Sequence, residues 1–410
     1  MSTFHDPVER ALSSAVLALS LSRGMFFAVS ALYLTRGVGL APTTVGVGLT
    51  AAGAAGVLAS YLGGRLSDRL GADRVQLWAL AVHGGSLLAY AVAGDVATFV
   101  LVAACVSASR GVMSTAEMTL LARWYTGPER VVVRARIRVV MNVAIGVGTL
   151  LAALALLVDT AAAYRLTIVV VGTLTALGTI PLIGLRRRVP GLAERMDAAS
   201  SPVARGGGRS PLRDRTYLTA TALTMVIAIQ FGLTSIGIPL WVADHTAAPT
   251  YVVSALLVVN TVYVALFQVR ASRGTHDVRA AGTAVRSAGA LLLVACLLFA
   301  WAGDLGPATA TAVLLLAAFA GSAAETRGEA GTWGLAFELA DPERAGEYQG
   351  VSQVGRALAQ MLAPAVITMT AIDHGTAGWI VLGMLFAAAG VATAALAGRA
   401  AGPITRTAPV

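Results

Sequence analysis

Residues 63–74 read Gly63-Gly64-Arg65-Leu66-Ser67-Asp68-Arg69-Leu70-Gly71-Ala72-Asp73-Arg74. This charged island sits between two apolar runs, residues 43–63 and 75–94. Each run is about as long as the ~20 apolar residues that cross a bilayer core as a helix. The glycines permit a tight turn and close approach of neighbouring helices. Asp68 is of a kind to accept bonds from a helix N-terminus or from an arginine. The stretch therefore predicts a short charged connection between two spanning helices.

Outward from this island the same grammar repeats. Apolar segments fall at 11–34, 43–63, 75–94, 96–122, 137–158 and 162–185, then at 217–241, 250–269, 281–302, 307–337, 347–371 and 376–398. Turn chemistry separates them, as in Ala41-Pro42-Thr43, Gly94-Asp95, Gly127-Pro128 and Gly306-Pro307. The whole chain of 410 residues agrees: 57% is hydrophobic, 12% is charged and the mean hydropathy is +0.75. A soluble domain carries about a quarter charged residues. This composition excludes an ordinary soluble enzyme, a disordered chain and a disulfide scaffold. An outer-membrane barrel alternates polar and apolar residues, which these runs do not. The expected fold is an all-α membrane protein of twelve transmembrane helices.

The net charge of +9 is a matter of topology. All basic residues other than histidine are Arg, and they crowd onto alternate connections: Arg10, then Arg65 to Arg74, Arg123 to Arg138, Arg186 to Arg215, Arg270 to Arg279, Arg344, and Arg399 with Arg406. The opposite connections hold Arg36 and Arg165. This asymmetry predicts cytoplasmic termini and a multi-pass protein of the inner (plasma) membrane. The first apolar run is too long for a cleavable signal. Absence of Lys beside abundant Ala, Gly, Val and Arg matches a high-GC bacterial genome. Nucleic acid is not expected as a partner, because the arginines are scattered over separate loops; the bilayer is. Cys105 and Cys296 both lie in apolar runs and supply neither metal spacing nor a disulfide framework. Residues 186–216, rich in Arg, Ser, Pro and Gly and including Arg205-Gly-Gly-Gly-Arg209, predict a mobile linker. It divides the chain into a six-helix lobe over 1–185 and another over 217–410.

With the twelve runs and the six-plus-six split, the island resembles the loop signature of the major facilitator superfamily, whose Gly-x-x-x-Asp-Arg-x-Gly core is here Gly64, Asp68, Arg69 and Gly71. Arg74 follows it. Ser109-Arg110-Gly111 in the fourth run resembles the Arg-plus-Gly pattern of that family. The fifth run, with Asn142, Gly146 and Gly148, and the eleventh, from Tyr348 through Arg356 to Pro364, look like counterparts in repeated halves. The resemblance implies two lobes with inverted repeats, alternating access, and a cytoplasmic gating set of Gly64, Asp68, Arg69, Gly71, Arg74 and Arg356. It implies a small-molecule substrate, no cofactor, and a functional monomer.

Ionisable residues inside spanning helices are costly and usually functional. Arg23, Arg110 and Glu117, and Glu325, Arg327 and Glu329, stand well inside their apolar runs and are expected at the substrate cavity. A carboxylate kept from water can carry a proton at neutral pH, so Glu117, Glu325 and Glu329 are the expected coupling residues. Asn142, Gln230, Asn260, Tyr263 and Trp333 are further cavity candidates. His83 reads as a packing histidine, and Gly237 with Pro239 as a bend in the seventh helix. No cluster suggests an enzyme or a metal site.

The overall pattern is similar to the drug–proton antiporter branch, so the first expectation is proton-coupled efflux of drugs or secondary metabolites. That branch carries a Gly-Pro pair in its fifth helix, where this chain has Gly146-Val-Gly148, and often an acid in its first helix, where this chain has Arg23. Two mid-membrane arginines suit an anion, so the second expectation is a carrier of an anionic or sugar-like metabolite.

Overall fold

The computed structural model describes residues 6–198, 209–275 and 277–401. Twelve long helices account for the apolar runs: α1 (Pro7–Leu32), α2 (Pro42–Leu70), α3 (Ala72–Tyr90), α4 (Val96–Trp124), α5 (Pro128–Val158), α6 (Ala161–Leu177), α7 (Arg215–His245), α8 (Val252–Ser272), α9 (Val278–Ala302), α10 (Pro307–Glu338), α11 (Ala345–Ile367) and α12 (Gly375–Ala400). Ten helices among the described residues are long and apolar enough to cross a membrane. Two of the twelve, α1 and α3, are not among them. Here α1 carries Glu9, Arg10 and Arg23, while α3 has 19 residues and opens on Asp73 and Arg74. The chain is thus an all-helical, multi-pass membrane protein.

Local chemistry sets the helix starts. Asp6, Asp95, Thr160, Asp214 and Asp277 each accept a backbone N–H in the first turn of the helix that follows. At Asp95 the Thr98 amide and hydroxyl hold the carboxyl below the usual carboxylate range. Pro128 and Pro307 open α5 and α10, where no N–H is needed. α7 bends as expected: a wide π-turn spans Leu233–Gly237 and Pro239 follows it.

Two expectations change. The island at 63–74 is not a loop. Helix α2 continues through Ser67 and Asp68 to Leu70, and Gly71 (φ 88°) alone makes the break before α3. The glycines at 63 and 64 serve close packing, and only Gly71 serves the turn. The expected linker is also partly built. Short helices cover Leu185–Arg188 and Leu192–Ala198. Leu192 and Met196, one turn apart, are fully buried, and Arg195 donates to the Trp124 carbonyl at 2.7 Å. Two apolar side chains at i, i+4 are enough to seat one turn of helix, whatever the surrounding composition. Residues 205–208 of the Gly-rich stretch lie outside the described residues.

The chain forms two compact units. Unit 1 holds the described residues of Met1–Thr126, Arg136–Ser210 and Asp341–Ala357; unit 2 holds those of Gly127–Ala135, Pro211–Ala340 and Leu358–Val410. Within unit 1, α2 and α3 pack on α4, and α6 packs on α1 and α3. Within unit 2, α8 and α9 pack on α10, and α12 packs on α7 and α9. The second list is the first advanced by six helices, as repeated halves require. The exchange of ends is equally regular: the start of α5 belongs to unit 2 and the start of α11 to unit 1.

Candidate functional site

Three groupings of polar side chains stand out. The first is at the arginine-rich end of unit 1. Asp68 projects from the last turns of α2 toward the start of α11, where its two oxygens accept the Gly346 and Glu347 backbone N–H groups, both at 2.8 Å. These amides belong to the unsatisfied first turn of a helix, which favours an anion. Asp68 also binds the Arg123 guanidinium at the end of α4. The approach is possible because Gly64 and Gly346 face each other. A Cβ on Gly64 would lie 2.1 Å from the Gly346 carbonyl oxygen. Glu347 is held in turn by Arg65 at 3.5 Å and Arg344 at 3.6 Å. Ser114 donates to Gln353 at 3.0 Å further along α11.

The second grouping lies mid-helix in unit 1. The charge of Arg110 on α4 is felt at Arg23 on α1, and His83 on α3 feels both. Arg23 lies over the Phe27 ring at 5.1 Å, and its Nε is buried with no hydrogen-bond partner among the described residues. Arg110 is exposed. Neither arginine has an ion-pair partner among the described residues. The Ser109 hydroxyl donates to the Cys105 carbonyl at 2.7 Å and meets His83 Nδ1 at 2.9 Å.

The third lies in unit 2. A pocket with apolar walls from Leu233, Ile238, Leu256 and Phe299 ends at Glu325 on α10. Asn260 on α8 donates to Glu325 at 2.8 Å and to the Ser322 hydroxyl at 3.2 Å. Gln230, at the break in α7, lines the same pocket. The carboxylate is buried, lines the pocket and accepts from the Asn260 amide.

Comparison with known proteins now bears on these groupings. The family model described as Major Facilitator Superfamily matches residues 12–364. The chain belongs to the major facilitator superfamily. No curated protein matches it in sequence. Among solved structures it is similar to the human organic anion transporter MFSD10 (TETRAN), at 16% identity and TM-score 0.69 over 95% of this chain and 99% of that one. It is similar to the proton:xylose symporter XylE, at 14% identity and TM-score 0.66 over 94% of each chain. It is also similar to a bacterial homologue of the iron transporter ferroportin, at 13% identity and TM-score 0.71 over 96% of this chain and 98% of that one. At these identities the likeness is one of fold.

Within this major facilitator chain, the residues singled out from sequence separate. Gly64 and Asp68 meet α11, whereas Arg69 and Arg74 are exposed and elsewhere, and Gly71 is the hinge between α2 and α3. Arg356 is half-buried and partnered. Glu117 and Glu329 are buried and partnered; Arg327, between the two α10 glutamates, is exposed. Asn142 is half-buried on α5. Tyr263 packs tilted against Phe267 and edge-on against Phe319, at centroid distances of 4.6 and 5.0 Å, in an aromatic cluster of α8 and α10.

Trp333 is wholly buried under the start of α5, with the Arg134 guanidinium 5.4 Å from its ring centre. One turn along, Arg130 pairs with Glu338 at 3.2 Å. This mirrors, in unit 2, the contact that α11 makes with α2 and α4 in unit 1. Trp333→Ala should therefore behave as a packing deletion and cost about 3–5 kcal/mol. Trp333→Phe, which keeps an aromatic face for Arg134, should cost far less. Melting temperatures in detergent check this; equal effects of the two substitutions would show that the ring does not serve the contact. The structure also adds Arg123 and His83 to the site residues. Asp68 and Arg123 are 55 positions apart, and no local pattern joins them.

Proposed function

We propose that this chain is a secondary active transporter that works by alternating access, carries an organic anion, and couples its movement to protons. The observation that carries this reading is the pair Arg23 and Arg110, both mid-helix in unit 1, the charge of Arg110 felt at Arg23, with no carboxylate paired to either among the described residues. Two guanidiniums that act on one another repel and gain most from a shared anionic ligand. The similarity in fold to the human organic anion transporter agrees with it. Arg23 and Arg110 hold the anionic group, and Glu325 carries the proton in its pocket. Asp68 and its α11 partners form a latch that closes and opens in each cycle. The arginine-rich side faces the cytoplasm, and one chain is the working unit.

The second reading, proton-coupled export of drugs or secondary metabolites, is favoured by one feature: an apolar pocket ending in a carboxylate suits a hydrophobic cation.

One assay separates the two. The protein is reconstituted in liposomes with an imposed pH gradient and an internal pH dye, then offered organic acids, sugars and cationic drugs. Proton movement is expected with organic acids. Movement with cationic drugs alone would overturn the anion reading in favour of the second. Arg110→Gln removes a charge-assisted contact, so the KM for the anion should rise on the order of tenfold to a hundredfold. An unchanged KM removes Arg110 from the site.

A further inference from the structure

The signature at 63–74 does not act as one piece. Gly64 and Asp68 are committed to α11, while Arg74, on the far side of the Gly71 hinge, opens onto a different feature. This is a cleft of about 470 Å³ within unit 1, between the start of α3 and the chain that leaves α6. Its rim holds Arg74, Arg186 and Arg187. Arg186 is fixed by Asp73 and Asp197. Arg74 and Arg187 are exposed, and neither has an ion-pair partner among the described residues. The cleft therefore offers two uncommitted guanidiniums against one carboxylate, Asp73, that is already engaged.

Its walls are of another character. Leu77, Leu182 and Ile183 line it. Ile183 is 57% exposed, and Trp78, one turn from Arg74 on α3, is 69% exposed. Tryptophan at such a place marks the level where hydrocarbon gives way to headgroups. Cationic rim, apolar wall and interfacial tryptophan thus follow one another along the axis of α3. A soluble phosphate or carboxylate would use the rim and leave the wall bare. A phospholipid uses both.

We propose that this cleft binds a phospholipid with an anionic headgroup from the leaflet on the arginine-rich side. Arg74 and Arg187 take the phosphate, and the upper acyl chain lies on Leu77, Leu182 and Ile183. Arg74 is then a lipid-binding residue, separate in function from Asp68 although only six positions away.

The test uses the full-length protein in mild detergent and native mass spectrometry. The probes are phosphatidylglycerol and phosphatidylcholine of matched chains, with inorganic phosphate as competitor. Wild type should retain phosphatidylglycerol over phosphatidylcholine. Arg74→Gln with Arg187→Gln should reduce that preference roughly tenfold or more. Arg270→Gln with Arg273→Gln, an equal change of charge at exposed arginines elsewhere, should leave it intact. Ile183→Glu, at an exposed position, attacks the wall without touching the rim and should give the same loss. The proposal is overturned if the preference survives in both Arg74→Gln/Arg187→Gln and Ile183→Glu, or if the control pair loses as much. Displacement of phosphatidylglycerol by inorganic phosphate would place a soluble anion in the cleft and overturn it as well.

Discussion

Asp68→Ala should lower stability by about 3–5 kcal/mol, and Gly64→Ala should reproduce most of that loss without touching a charge. The reasons differ at first and then converge. Removing the Asp68 carboxylate leaves the Arg123 side chain, only 6% exposed, as a charge without its counter-ion. It also strips two first-turn N–H groups of α11 of their acceptors. Gly64→Ala acts through space instead. Its Cβ would meet the Gly346 carbonyl oxygen at 2.1 Å and the carbonyl carbon at 2.8 Å. Both are backbone atoms, so no side chain can swing aside. The start of α11 must withdraw by an ångström or more, and hydrogen bonds of 2.8 Å do not survive that. Because each substitution breaks the same contact, the double variant should cost little more than the worse single one. Melting temperatures of the four proteins in detergent close the cycle. Gly53→Ala, in the same helix with nothing within 4 Å of the added methyl, is the control and should be silent. Additive losses would show that Gly64 and Asp68 stabilise the protein through separate contacts.

The membrane fold was legible because its signals are long and local. Apolar length, arginine placement and turn chemistry such as Gly94-Asp95 are properties of neighbouring positions, and each expected run falls on a helix, although α2 runs seven residues further and α5 starts nine residues earlier than its run. What failed to show was whatever depends on a partner far along the chain. Gly63 and Gly64 read as permitting a turn or a close approach; which one, and to what, comes from distant partners, Val112 on α4 for Gly63 and Gly346 on α11, 282 positions on, for Gly64. Leu192 and Met196 were hidden in a polar composition. Trp333 read as a cavity residue because its cover, Arg134, lies on α5. Arg23 and Arg110 were conspicuous singly, as charges in apolar runs, and so were Asn260 and Glu325. That Asn260 meets Glu325, and that Arg23 feels the charge of Arg110, is decided by how the helices pack, which no spacing encodes.

This division between separate clusters gives the second large effect. Glu325→Gln should abolish uphill accumulation while leaving exchange of substrate across the membrane intact. Gln is close to Glu in shape and keeps an oxygen for the Asn260 amide, so the pocket should persist; what it cannot do is take up and release a proton. In the proposed cycle the substrate is held by Arg23 and Arg110 in unit 1, whereas this carboxylate belongs to unit 2. Substrate binding and counterflow at equal pH should thus continue. An imposed gradient of one pH unit, which one proton per substrate converts into about tenfold accumulation, should yield none. Arg110→Gln should show no such division, with the KM for exchange and for accumulation rising together because the substrate is held less tightly. Glu329→Gln is the necessary companion, since that residue is also buried and stands one turn away on the same face of α10. If Glu329→Gln abolishes accumulation and Glu325→Gln does not, the proton site lies one turn further along the helix. If neither does, α10 does not couple transport to protons, and the pocket at Glu325 is left to the substrate.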